Sequence, residues 1–290
     1  MWRALEEITA ARLGKVAVAR ARVRAHVWRQ IVARHGRIPP ARVAGRDLGE
    51  VTVIRLDVSI VLAHSDKQQA EPTFKKTFGF HPVTAWCDNT GESLVVKLRP
   101  GRAGSNTATD HIEVLTEAIA RIPASHRRRM QITCDGAGST HALVGHISAL
   151  NTRPGFQVRY SVGFDFDERV RAVIGHVPDT AWAPALDAHG NPRDDAQVAE
   201  LTGLLRHSVG GDRLAGWPPD MRIITPPREP APRGATVVVR AARGQALPGH
   251  RHQHPRRGSP VPPSRSPHPS PGRGPHPLRQ EHRPGPSALP

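Results

Sequence analysis

One carboxylate in the middle of an apolar run constrains this chain more than any other feature. Val51 to Asp66 is rich in β-branched residues and nearly free of charge, the pattern of a buried central strand. Asp57 lies in its middle. An unpaired buried carboxylate costs on the order of several kcal/mol, so the run tolerates it only with an ion pair, a turn or a bound metal in compensation. A second segment favours the metal. Gln131 to Thr140 is a short apolar stretch, then Asp135, two glycines and the start of a helical pattern. That is a strand presenting a carboxylate in a tight turn at its C-terminal end, with Ser139 or Thr140 to cap the next helix. Active sites of open α/β sheets lie at such ends. Two Asp residues on neighbouring strands can share a hard cation such as Mg²⁺, which keeps waters for the substrate. Paired metals then assist in-line phosphoryl transfer.

Charge is distributed unevenly. The chain has 290 residues and a net charge of +16. Residues 1–50 hold 11 Lys/Arg against 4 Asp/Glu, 51–220 hold 18 against 19, and 221–290 hold 12 against 2. A near-neutral fold is thus flanked by two basic segments. Cys87 and Cys134 lie in apolar contexts without zinc-site spacing and read as buried thiols of a reducing compartment. No run approaches the ~20 apolar residues of a membrane span, and the N-terminus lacks an apolar signal region. The expected setting is the cytoplasm, with no membrane partner.

Residues 2–35 are helical in pattern, with Leu13, Val16, Val23, Val27, Trp28 and Ile31 at helix-like spacing and arginines between them. Thr9 is placed to cap the second part of that helix, and Gly36 and Pro39-Pro40 to end it. A basic helix beside a carboxylate site suggests phosphate contact through Arg20 and Arg24; a solvated surface is the alternative. Lys75 and Lys76, in a stretch that alternates aromatic and basic residues, carry the same two readings. Two strands meet at the turn Asp88-Asn89-Thr90-Gly91, and a helix spans Asp110 to Ile122. The Asp135 strand follows, then a helix from His141 and a strand from Phe156 to Val162. Three antiparallel strands followed by αβ units are the layout of an RNase H-like mixed sheet with flanking helices. That topology sets Asp57 and Asp135 side by side. The expected divisions are 1–50, a basic helical segment; 51–225, the core; and 226–290, a disordered Pro/Arg-rich tail.

Several motifs occur in order: Leu56-Asp57, His64-Ser65-Asp66-Lys67, Thr73 to Pro82, Ala85 to Glu92, Leu98-Arg99-Pro100-Gly101, Gly104-Ser105-Asn106-Thr107 and Cys134-Asp135-Gly136-Ala137-Gly138. Together, over about residues 1–225, they resemble the DDE-type insertion-sequence transposases of GC-rich bacteria. The resemblance implies an RNase H-like core and cutting and joining of double-stranded DNA at terminal inverted repeats and target. It also implies Mg²⁺ (or Mn²⁺), with a homodimer as a further expectation. Asp57 and Asp135 match the family's first two catalytic acids and would hold the metal. Relatives carry a longer region before the first Asp, so the chain reads as starting late.

The family also needs a third acid, a Glu on a later helix, and here the chain departs. After Asp220 there is no Asp, and roughly a quarter of residues 221–290 are Pro, against a usual ~5%. Such a segment cannot bury enough apolar surface to fold. Gly272 to Gly285, written in CGN arginine and CTN leucine codons and read from the second base, permits a run like the family's stretch around its Glu. His252 to Gly258 shifts likewise. The expectation is a frameshift near residues 225–235, with the third acid's codon lost across Arg273 and Gly274. The chain would then be an impaired transposase. The alternatives are a non-catalytic DNA-binding remnant and a different RNase H-like nuclease.

Overall fold

The computed structural model describes residues 9–164, 167–208, 211–225 and 237–241. They fall in the first of two units, 1–247; the second, 248–290, lies outside them. Helix α1 (Ala10–His35) begins where Thr9 accepts from the Arg12 backbone N–H at 3.3 Å. It stops at Gly36, whose φ of 77° suits a residue without a Cβ. The helix expected from the apolar spacing is present, but most of its apolar residues do not enter the core. Leu13, Val16, Val18, Val23 and Val27 are exposed, and Trp28 is the fully buried anchor. Beside it, Arg24 is buried too. Its Nε donates to Glu92 at 2.7 Å and its Nη1 to the Arg121 carbonyl at 3.2 Å. Trp28 Nε1 donates to the other Glu92 oxygen at 3.0 Å.

The run around Asp57 forms β1 (Thr52–Val58) and then leaves the sheet. A single strand from Val51 to Asp66 was the expectation. Instead Val61–Leu62 pair with Phe80 and Gly79 in a separate three-stranded sheet, completed by Glu71–Pro72. Apolar content cannot distinguish a strand that continues from one that changes sheets, and Val61 and Leu62 remain about half exposed. The chain returns as β2 (Val83–Cys87) and β3 (Glu92–Lys97), both antiparallel. Asn89, in the turn between them, is buried. It accepts from Val53 N at 2.8 Å and donates to the Pro39 and Val51 carbonyls at 3.0 Å. One amide side chain thus satisfies three backbone groups at the start of β1.

Helix α2 (Ala108–Arg121) packs on β1, β2 and β3 through Val114, Leu115 and Ala118. Then β4 (Arg129–Cys134) joins β1 in parallel, α3 (His141–Ala149) packs on α2, and β5 (Gln157–Phe164) joins β4 in parallel. The order β3-β2-β1-β4-β5 is the RNase H-like mixed core, as the element order predicts. Ile54, Leu56, Ile132, Tyr160, Leu143 and Ile147 fill its interior.

The later elements are α4 (Glu168–Ile174), a hairpin of Ala183–Leu186 with Pro192–Val198, α5 (Thr202–Arg206), β6 (Met221–Ile224) and β7 (Val237–Ala241). β7 pairs with β5 and with β6, so the sheet grows to seven strands in the order β6-β7-β5-β4-β1-β2-β3. It lies within the segment read above as tail, and its source is visible: Thr236 to Val239 is a β-branched run between proline-rich flanks. The rest of 226–290 lies outside the described residues. Among those residues, no helix is long and apolar enough to cross a membrane.

Candidate active site

The parallel pairing of β1 with β4 builds the site. Thr52, Val53, Ile54 and Arg55 stand opposite Met130, Gln131, Ile132 and Thr133. The paired register ends there; Asp57 lies two residues beyond Arg55 near the end of β1, and Asp135 two residues beyond Thr133, just past the end of β4. Ile54, Leu56, Ile132 and Cys134 are buried, whereas Asp57 is half-buried and Asp135 exposed. Asp57 and Asp135, 78 apart in sequence, thus stand at the C-terminal ends of two neighbouring parallel strands.

Each carboxylate is held by a local donor. Ser59 Oγ donates to Asp57 Oδ2 at 3.0 Å, and the Ala137 backbone N–H donates to Asp135 Oδ1 at 3.0 Å. Among the described residues, neither Asp57 nor Asp135 forms an ion pair. The turn after Asp135 is a short 3₁₀ helix, Gly136–Gly138, and Thr140 then caps α3 by accepting from Leu143 N at 3.2 Å. Gly138 is required by close approach. A Cβ there would lie 2.6 Å from Cys134 Sγ and 2.8 Å from its Cβ. Both cysteines are free and buried. Burial, with the Asp135 charge adding to it, pushes the Cys134 thiol up to about 12, so it packs as a neutral group.

The donor set suits a hard divalent cation. Two carboxylates at the ends of neighbouring strands, without a lysine or arginine partner among the described residues, offer oxygen ligands of the kind Mg²⁺ takes alongside waters and phosphate oxygens. Among the described residues, no group of three or more His, Cys, Asp or Glu side chains is assembled for a metal. Two other acids have structural partners. Asp88 pairs with Arg55 at 3.0 Å, and Asp110 with Lys97 at 2.7 Å and Arg99 at 2.9 Å. Burial acts to raise the Asp110 carboxyl, but the Lys97 and Arg99 hydrogen bonds outweigh it and hold the pKa below the ordinary value.

The basic candidates divide. Arg24 is corrected: its guanidinium is buried and committed to Glu92 and the Arg121 carbonyl, so it is not available to a phosphate. Arg20 is exposed and spends one N–H on the Ser93 carbonyl at 2.9 Å. Lys75 and Lys76 are exposed on the turn that joins Glu71–Pro72 to Phe78–Phe80. Sequence reasoning passed over Ser59, whose signal was its place two residues beyond Asp57 on the same side of an extended chain. It also passed over His111. That imidazole is fully buried on α2, with Nδ1 donating to the Thr107 carbonyl at 3.0 Å and Nε2 without a hydrogen-bond partner among the described residues. Burial lowers its pKa, the Arg99 charge adds to the lowering, and Asp135 opposes it.

A family model described as transposase DDE domain, group 1, matches residues 22–239. No curated protein matches the chain. Among solved structures, a piggyBac transposase in a synaptic complex with hairpin DNA is similar at 10% identity and a TM-score of 0.34. That match covers 67% of this chain and 34% of the other, so the chain spans about a third of that transposase's length. Human endonuclease V is similar at 12% identity and a TM-score of 0.27, over 74% of this chain and 82% of that one. The Ciona intestinalis endonuclease V, solved with an inosine-containing 24mer DNA, gives 11%, 0.28, 80% and 83%.

Proposed function

The chain belongs to the transposase DDE domain family, group 1, and from that premise we propose metal-dependent cutting and joining of double-stranded DNA at the ends of an insertion sequence. The observation that carries the proposal is the parallel register of β1 and β4. It makes β1 and β4 neighbours, with Asp57 and Asp135 at their C-terminal ends, and neither takes an ion-pair partner among the described residues.

In this reading Asp57 and Asp135 hold the divalent cation, Mg²⁺ or Mn²⁺. When bound, the metal lowers the pKa of an attacking water or 3′-hydroxyl and offsets charge developing on the phosphate. The chain's own residues position and restrain. Ser59 fixes one oxygen of Asp57, and Ala137 N–H fixes one oxygen of Asp135. That leaves the second oxygen of each without a hydrogen-bond donor among the described residues. Lys75, Lys76 and Arg20 lie exposed and suit DNA phosphates, whose contacts supply affinity without sequence choice.

The chain cuts weakly in this account. The family's third acid has no match in residues 221–290, which hold Glu229 and Glu281 as their acids, and a frameshift near residues 225–235 accounts for the loss. The test is cleavage of a plasmid carrying the element's own ends, by the purified chain and by a version with the downstream frame restored. With Mg²⁺ or Mn²⁺, the restored version cuts, the present chain cuts far less, and Asp57→Ala or Asp135→Ala abolishes cutting. Equal cutting by both versions contradicts the impairment. Binding without cutting by either version leaves a non-catalytic DNA-binding remnant as the better description.

A further inference from the structure

We infer that Phe74 stacks on an unpaired base of the DNA beside the cut, with Lys75 and Lys76 on the neighbouring phosphates; this rests on the DNA substrate proposed above. The small sheet that carries Phe74 is rooted at the catalytic edge. The chain enters it directly after Asp57 and Val58, and returns through Val83 and Thr84, which pair with those same two residues. At its tip Phe74 is 66% exposed. An isolated exposed apolar residue means little by itself. This one differs in what surrounds and supports it.

The tip is braced. Thr73 N donates to the Thr77 carbonyl at 2.7 Å, Lys76 N to the Thr73 carbonyl at 3.0 Å, and the Thr73 and Thr77 hydroxyls bond at 2.7 Å. Lys76 takes a left-handed φ of 59° to close the turn. Beneath the tip, Phe74 leans on the His81 ring, with centroids 5.4 Å apart and planes tilted by 46°. His81 is itself buried and donates from Nδ1 to the Ala103 carbonyl at 2.7 Å. Arg99, also buried, donates to the His81 carbonyl at 2.8 Å and to Asp110. At Gly79 a Cβ would fall 2.1 Å from the Val61 carbonyl oxygen, so the strands beneath are locked together. An aromatic ring is therefore held outward on a rigid pedestal, which lowers the ordering cost of stacking.

Charge selects the occupant. The turn from Thr73 to Thr77 carries two lysines and no acid. Glu71, the nearest acid in the chain, pairs with Arg102 at 3.3 Å. The Lys75 ammonium sits 5.7 Å from the Phe74 ring centroid, so cation and ring present one surface. An aromatic face beside basic groups is the arrangement that binds single-stranded nucleic acid, through base stacking and backbone contact. Apolar side chains also wedge between base steps that are already weak.

The test uses the full chain and two probes: a blunt duplex, and the same duplex with a short overhang carrying 2-aminopurine. The wild type prefers the overhang and quenches the probe's fluorescence. Phe74→Ala loses about tenfold in affinity for the overhang, leaves blunt-duplex binding unchanged and abolishes the quenching. Phe74→Tyr retains both, which separates stacking from folding. Lys75→Ala with Lys76→Ala weakens both probes alike and lessens the salt dependence. A wild type that binds both probes equally without quenching overturns the stacking role and leaves the proposed DNA chemistry standing. A wild type that binds neither probe overturns both.

Discussion

Glu92 shows how much of this molecule depends on single side chains. Its carboxylate takes the Arg24 guanidinium, the Trp28 indole N–H and the Thr90 hydroxyl at 2.7, 3.0 and 2.9 Å. Arg24 has a side chain only 2% exposed, so removing Glu92 leaves a buried charge without its counter-ion. Glu92→Ala should destabilise the chain by about 2–3 kcal/mol, below the full cost of a wholly buried pair because Glu92 is partly solvated. Urea unfolding measures it as a lower midpoint with the slope unchanged; a loss within experimental error would contradict this role. Glu92→Gln, which keeps a hydrogen-bond acceptor for Trp28, loses less. At this scale the proposed metal-binding carboxylates stood out in the sequence and the brace did not. A lone carboxylate in an apolar run stands out in sequence, as Asp57 does. Arg24 looks like every other arginine of a basic helix until its partner, 68 residues away, is known.

Among the elements, the turn after β4 carries the site. Its geometry depends on Gly138 lying against Cys134, where any side chain would collide. Gly136, two residues earlier in the same turn, has open space around its Cβ position. Gly138→Ala should therefore cost about 1–3 kcal/mol through overpacking, and it should shift Asp135 enough to weaken metal binding. Gly136→Ala should do neither. Thermal unfolding and Mn²⁺ titration of the two variants make the comparison, and identical behaviour would contradict the packing argument. The turn was readable as a turn because glycines follow the Asp and a threonine precedes a helical pattern. The exchange of sheets after β1 was not readable. Val61 and Leu62 are as apolar as the residues of β1, and their different partners, Phe80 and Gly79, are set by tertiary pairing. The exposure of α1 was not readable for a related reason: helix-like spacing shows that a stripe exists, while burial depends on what packs against it.

At the scale of the whole molecule, the order of strands and helices settled the architecture before any coordinate was known. A meander followed by αβ units can close its sheet with the first and fourth strands adjacent, and β1 and β4 are. The elements after β5 were less legible. They are short, and their pairing skips along the chain, with β7 lying between β5 and β6. The basic ends were visible in charge alone, yet charge does not say which arginines are spent internally. The account therefore rests on one proposal drawn from topology, that Asp57 and Asp135, at the ends of neighbouring strands, share a metal ion. The direct measurement is calorimetric titration of Mn²⁺ into the full-length chain, wild type beside Asp57→Ala, Asp135→Ala and the double variant. Each single substitution should weaken binding by at least about tenfold, and the double should be little worse than either, because the two carboxylates share one ion. Wild-type affinity in both single variants would show that these residues do not form a metal site.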